Sequence, residues 1–115
     1  MGHLTTHVLD TARGKPGGGI AYRLFSVDDQ HRLIVSGVTN ADGRTDQALL
    51  DEGGFKTGAY ELVFDVGNYF SGTGLTSNLK PFLNEVVLRF TMAEDQHYHV
   101  PLLVSPWSYS TYRGS

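Results

Sequence analysis

Ala59-Tyr60-Glu61-Leu62-Val63-Phe64-Asp65-Val66 alternates more regularly than any other stretch of the chain, with Tyr60, Leu62, Phe64 and Val66 set against Glu61, Val63 and Asp65. Successive side chains of a strand point to opposite faces, so this spacing predicts a core strand over 59–66. Working outward, the same period marks strands over 4–9, 20–27, 33–39, 85–92, 97–104 and 108–112. The turn signals between them are Arg13-Gly14-Lys15-Pro16 with Gly17-Gly18-Gly19, Asp28-Asp29-Gln30-His31, Asn40-Ala41-Asp42-Gly43, Gly53-Gly54, Ala93-Glu94-Asp95 and Ser105-Pro106. Residues 47–50 suit a short edge strand or a helical turn equally well. Alternation lapses over 68–74, where one short helix is expected. The 97–104 strand is expected to pair with 85–92 as a hairpin. Pro101 inside it has no N–H to donate, which suggests an edge or a bulge. Seven or eight strands and one short helix predict an all-β fold, a two-sheet antiparallel β-sandwich filling residues 1–115 as a single domain.

The chain has 115 residues, enough for one core, and no cysteine, so neither disulfides nor thiolate metal sites can support it. Nine Lys and Arg against twelve Asp and Glu give a net charge of −3 without a basic block, which argues against nucleic acid as a partner. No apolar run reaches the roughly 18 residues that span a bilayer, and the first residues lack the profile of a signal peptide. No membrane association and a cytoplasmic setting are therefore expected, and Arg113-Gly114-Ser115 is not a peroxisomal ending.

Three side chains stand out as chemistry-bearing. His7 lies on the first strand, on the same face as Thr5 and Leu9. Arg44 follows a tight turn. His99 lies on the penultimate strand, on one face with His97. Imidazole changes charge near neutral pH and can act as an acid or a base. Two histidines at i and i+2 could also offer two zinc ligands, but His3, His7 and Asp10 complete no compact set of four, and no metal site is expected. There is no G-x-S-x-G elbow and no glycine-rich loop opening onto a long helix.

These residues also resemble a known family. Thr5-Thr6-His7-Val8-Leu9-Asp10 with Gly14-Lys15-Pro16, Gly43-Arg44, His97-Tyr98-His99-Val100-Pro101-Leu102-Leu103, Ser105-Pro106 and Tyr109-Ser110-Thr111-Tyr112-Arg113-Gly114-Ser115 are similar to the 5-hydroxyisourate hydrolases. These are transthyretin-related enzymes of urate breakdown, and the resemblance spans essentially the whole chain. Transthyretin shares the sandwich but carries small aromatic ligands without catalysis. Where this chain has His7, Arg44 and His99, transthyretin has lysine, glutamate and threonine. The departures from the enzymes are Gly17 to Gly19 and Trp107-Ser108, which bear on a loop and on pocket shape.

The resemblance implies a transthyretin-like sandwich that hydrolyses the cyclic amide of 5-hydroxyisourate, giving 2-oxo-4-hydroxy-4-carboxy-5-ureidoimidazoline, without a metal or organic cofactor. It implies catalytic roles for His7, Arg44, His99 and Ser115, and substrate contacts from His7, Arg44, Tyr112, Arg113, Gly114 and Ser115. It also implies a homotetramer, a dimer of dimers joined through sheet edges, with sites in the channel between dimers. A non-catalytic carrier of small aromatic ligands is the alternative. Which histidine acts as base, and whether His97 contributes, stays open at this level.

Overall fold

The computed structural model describes residues 2–28, 30–74 and 80–114. Ten strand segments occur among the described residues: β1 (His3–Thr5), β2 (Val8–Asp10), β3 (Lys15–Pro16), β4 (Ala21–Ser26), β5 (Arg32–Val38), β6 (Gly58–Asp65), β7 (Glu85–Met92), β8 (His97–His99), β9 (Leu102–Val104) and β10 (Tyr109–Thr111). The helix α1 (Val66–Thr73) follows β6 directly. Asp65 caps its first turn by accepting from the Asn68 amide, and Gly74 closes it in the left-handed region at φ 78°. The helix thus starts two residues before the predicted boundary, at the end of the strand pattern.

The expected two-layer sandwich forms from two four-stranded sheets, β10-β9-β2-β3 and β5-β4-β6-β7, with β1 and β8 paired at the end of the first. Side chains from both sheets interdigitate. Leu4, Val8, Leu102 and Val104 meet Leu24, Leu62, Phe64, Val86 and Leu88 in the core, all at most 5 % exposed. Each such side chain contributes about 1.5–3 kcal/mol by leaving water. The decisive 59–66 pattern is observed as β6, whose Tyr60, Leu62 and Phe64 are buried.

Two expectations about connectivity change. The 85–92 and 97–104 segments do not form a hairpin: β7 pairs with β6 in one sheet, whereas β8 and β9 pair in parallel with β1 and β2 in the other. The Ala93–Gln96 stretch carries the chain across the core. The buried Tyr98 hydroxyl accepts the amides of Ala93 and Glu94 there, so the connection turns inward instead of folding back on its own strand.

Pro101 also sits between two neighbours, not at an edge. The Val100 and Leu102 amides donate to the Thr5 and His7 carbonyls, so the intervening nitrogen at Pro101 faces the β10 side. The strand breaks there, and the first strand breaks opposite it at Thr6 and His7 without any loss of register: Thr5 stays opposite His99 and Val8 opposite Leu102. The buried Thr6 hydroxyl donates to the Val100 carbonyl across the gap at 2.7 Å. Residues 47–50 contribute a single bridge, Leu4 to Leu50, and Lys15–Pro16, read as turn, adds a short strand against β2.

Candidate active site

The outer face of the β1/β8 end of the first sheet carries the chemistry-bearing side chains. Alternation buries Leu4, Thr6, Val8 and Tyr98 and turns His3, Thr5, His7, His97 and His99 outward. The parallel register then sets Thr5 opposite His99 and His3 opposite His97. Thr5 Oγ1 lies 2.8 Å from His99 Nδ1 and 3.0 Å from His97 Nε2, and the His3 and His97 rings stack at 4.0 Å.

Arg44 reaches this face through the Asn40-to-Gly43 turn. The Asn40 side-chain carbonyl accepts the amides of Asp42 and Arg44, and the Asn40 amide donates to the Arg44 carbonyl. Gly43 sits at φ 76°, where a Cβ would collide with the Val8 carbonyl oxygen, and the Val8 amide donates to the Gly43 carbonyl at 2.7 Å. Arg44 therefore bridges directly to His7.

The His7 ring is anchored to the same turn, since its Nε2 is 2.9 Å from the Asp42 carbonyl oxygen. A carbonyl only accepts, so Nε2 carries the proton and the lone pair of the neutral ring lies on Nδ1. His99 is half-buried. Burial first, then the Arg44 charge and the His7 and His97 imidazoles, push its pKa below the ordinary 6.5. His97 is lowered as well, by burial and by His3.

A cavity of about 420 Å³ opens here, lined by Thr5, Arg44, Asp46, Gln47, His97 and His99 among others. It is polar, lined by one guanidinium, one carboxylate and two imidazoles whose pKa values are lowered, an arrangement suited to a strongly polar planar ligand and to proton transfer. Among the described residues no group of three or more His, Asp or Glu is placed to hold a metal ion.

The C-terminal segment docks on this strand. The Gly114 amide donates to the His99 carbonyl at 2.7 Å, and a Cβ on Gly114 would stand 2.9 Å from His99 Cδ2, so the backbone lies flat against the imidazole. Arg113 points the other way, its guanidinium 4.5 Å from the centre of the Tyr98 ring. Tyr112 is 60 % exposed, and with Arg113 it borders a second, more apolar cavity of about 380 Å³ between β7 and β10. Ser115 lies outside the described residues. The structure thus gathers His7, Arg44, His99 and Gly114 on one face and sets Arg113 on the other. The sequence assigns Thr5 no chemical role, and its contact with two imidazoles becomes visible only with the parallel register.

Comparison with known proteins adds four likenesses. A family model described as HIUase/Transthyretin matches residues 4–114. The 5-hydroxyisourate hydrolase of Pseudomonas aeruginosa is 54 % identical over 100 % of this chain and 93 % of its own. Among solved structures, (S)-allantoin synthase superposes with a TM-score of 0.91 at 44 % identity over 99 % of this chain, which spans 44 % of that longer one. Sea bream transthyretin in complex with thyroxine gives a TM-score of 0.84 at 31 % identity, over 96 % of this chain and 93 % of that one.

Proposed function

The chain belongs to the HIUase/Transthyretin family, and from that premise we propose that its cavity hydrolyses 5-hydroxyisourate. The observation that carries the proposal is the convergence of His7, Arg44 and His99 on one sheet face, each imidazole with one nitrogen engaged by the protein and the other unengaged by any described residue. A carrier needs shape and apolar surface. A hydrolase needs a base that is neutral at working pH and a cation at the developing oxyanion.

The step begins when a water molecule gives a proton to an imidazole and its oxygen adds to the lactam carbonyl carbon. Charge then grows on the carbonyl oxygen, where the Arg44 guanidinium stabilises it. The ring C–N bond breaks as the imidazolium returns its proton to the departing nitrogen. A carboxylate and a ureido group result, which is the composition of 2-oxo-4-hydroxy-4-carboxy-5-ureidoimidazoline. We assign the base to His99, because burial and Arg44 keep it neutral. His7, tied to the Asp42 carbonyl, holds substrate through its Nδ1. Tyr112, Arg113 and Gly114 seat the tail, so that Ser115 contacts substrate.

The proposal extends to assembly. Strands β7 and β10 lie at sheet edges with unpaired backbone groups, and Val87, Trp107, Tyr109 and Tyr112 beside them are 45–64 % exposed. Pairing of these edges in a homotetramer, a dimer of dimers, would cover both features. Light scattering should then give four times the monomer mass. Among the described residues no helix is long and apolar enough to cross a membrane, and we place the protein in the cytoplasm.

Freshly prepared 5-hydroxyisourate, followed by ultraviolet absorbance with spontaneous decay subtracted, tests the function. Turnover of many equivalents per subunit is expected. Saturable binding of the compound without loss beyond the buffer rate would favour the carrier.

A further inference from the structure

A threonine hydroxyl has a single proton. Thr5 Oγ1 is within hydrogen-bonding distance of two ring nitrogens, His99 Nδ1 at 2.8 Å and His97 Nε2 at 3.0 Å, and it can donate to only one of them. At least one ring must therefore donate to Thr5, and the hydroxyl links the protonation pattern of one ring to that of the other. When the hydroxyl proton is itself shared with a ring, the linkage has two forms. In one, Nδ1–H of His99 donates to Thr5, which donates to His97 Nε2, and the lone pair of His99 lies on Nε2. In the other, every donor reverses and His99 Nε2 carries the proton.

We propose that Thr5 and His97 are positioning residues for His99: the Thr5 hydroxyl accepts from Nδ1–H of His99 and donates to Nε2 of His97, fixing the tautomer whose Nε2 is the base. This rests on the hydrolase reading, which needs the lone pair on the nitrogen that the protein leaves unengaged. Backbone pairing supports the arrangement, because β1 and β8 hold Thr5 directly opposite His99. The His97 ring is itself held, stacked on His3 at an interplanar angle of 11°. Gly114 closes the other side of the His99 ring.

The groups facing this relay are His3 beside His97, His7 and Arg44 beside His99, and Asp46 in the lining of the same cavity. No carboxylate contacts His99 among the described residues. A neutral hydroxyl orients the imidazole without raising its basicity, as an aspartate in that place would. The ring thereby keeps a fixed direction and also the lowered pKa that Arg44 and burial impose.

The test combines long-range proton–nitrogen spectra of ¹⁵N-histidine-labelled protein, recorded without substrate, with turnover of 5-hydroxyisourate. Wild type should show His99 as the Nδ1–H tautomer. Thr5→Val, which matches the shape and removes the hydroxyl, should give a mixed tautomer, with kcat down about a hundredfold and KM within about twofold. Thr5→Ser should return the single tautomer and kcat to within about threefold, a rescue that a merely structural role for the threonine would not require. His97→Phe, which keeps the stack and removes Nε2, should lower kcat about tenfold.

An Nε2–H tautomer in wild type, or an unchanged tautomer and kcat in Thr5→Val, overturns the relay. The wild-type spectrum decides the point even if Thr5→Val fails to assemble. The two ideas fail separately: an active wild type with the Nε2–H tautomer removes the relay alone, and a wild type that never exceeds the buffer rate removes the hydrolase reading on which the relay depends.

Discussion

Replacing Gly114 by alanine adds one methyl group at the point where the C-terminal segment bridges to His99. The new Cβ would stand 2.9 Å from His99 Cδ2, 3.2 Å from its Cβ and 3.4 Å from its Cγ. Ordinary contact begins near 3.4 Å, so ring or tail must yield by about 0.5 Å or more. Neither is free to do so, since Thr5 holds the ring at Nδ1 and the Gly114 amide holds the tail to the His99 carbonyl. Gly114 does not have a positive φ, so the backbone accepts alanine and the effect is steric alone. A displacement of this size at a general base lowers kcat/KM by about 10- to 100-fold. That loss corresponds to about 1.4–2.7 kcal/mol of transition-state stabilisation. Global stability should fall by about 1 kcal/mol, because the strained position is an isolated bridge beyond the end of β10. Ultraviolet turnover and urea unfolding measure the two quantities. Gly72→Ala is the control, with nothing within 4 Å of the added Cβ and a place inside α1. It should leave kcat/KM unchanged and raise stability by about 0.5–1 kcal/mol. Full activity in Gly114→Ala would refute the claim that the tail packs on a ring whose position matters.

Three further outcomes are expected. Because His99 titrates below 6.5 and acts when neutral, the acid limb of kcat/KM should have its midpoint below that of a free imidazole; Arg44→Gln, by removing a positive neighbour, should move that limb upward. The same depressed pKa means that the unfolded chain binds the extra proton first, so this residue's contribution to stability is complete above 6.5 and is lost as pH drops toward the folded value, a trend that urea titrations at several pH values would detect. At Asp10, burial raises the carboxyl pKa, but hydrogen bonds from Tyr69 and Arg13 outweigh it and hold the group below its ordinary range. Tyr69→Phe removes a 2.7 Å bond to this fully buried carboxylate and should cost about 1–3 kcal/mol in urea unfolding without changing KM. Gly43→Ala forces a positive φ on alanine and a clash with the Val8 carbonyl, so it should lower stability by about 2–3 kcal/mol and also reduce kcat/KM through Arg44.

The fold was largely legible because each strand is short, half-buried and bounded by turn residues. Period two is then imposed by the core, as in β6 and in β7, which spans the residues its pattern marked. Pairing partners were less legible. Alternation reports which face a residue takes and carries no information about which neighbour its backbone meets, so the pattern suggests a hairpin of 97–104 with 85–92 although 97–104 runs parallel to the first strand. Pro101 signalled an interruption correctly, but its surroundings depend on both neighbours. At the site, His7, Arg44 and His99 were distinguishable by residue type and by resemblance. Thr5 and Asn40 were not, since a hydroxyl between two rings and an amide closing a turn look like ordinary strand and turn residues until the register is known.

The most direct measurement of the central claim is kcat/KM for 5-hydroxyisourate in wild type, His99→Asn and Arg44→Glu at neutral pH, with each variant first confirmed as folded and of wild-type mass. A loss of about a hundredfold or more is expected in both variants. Near-wild-type turnover in both would contradict it, because catalysis would then be taking place without the imidazole and the guanidinium that the sheet face brings together.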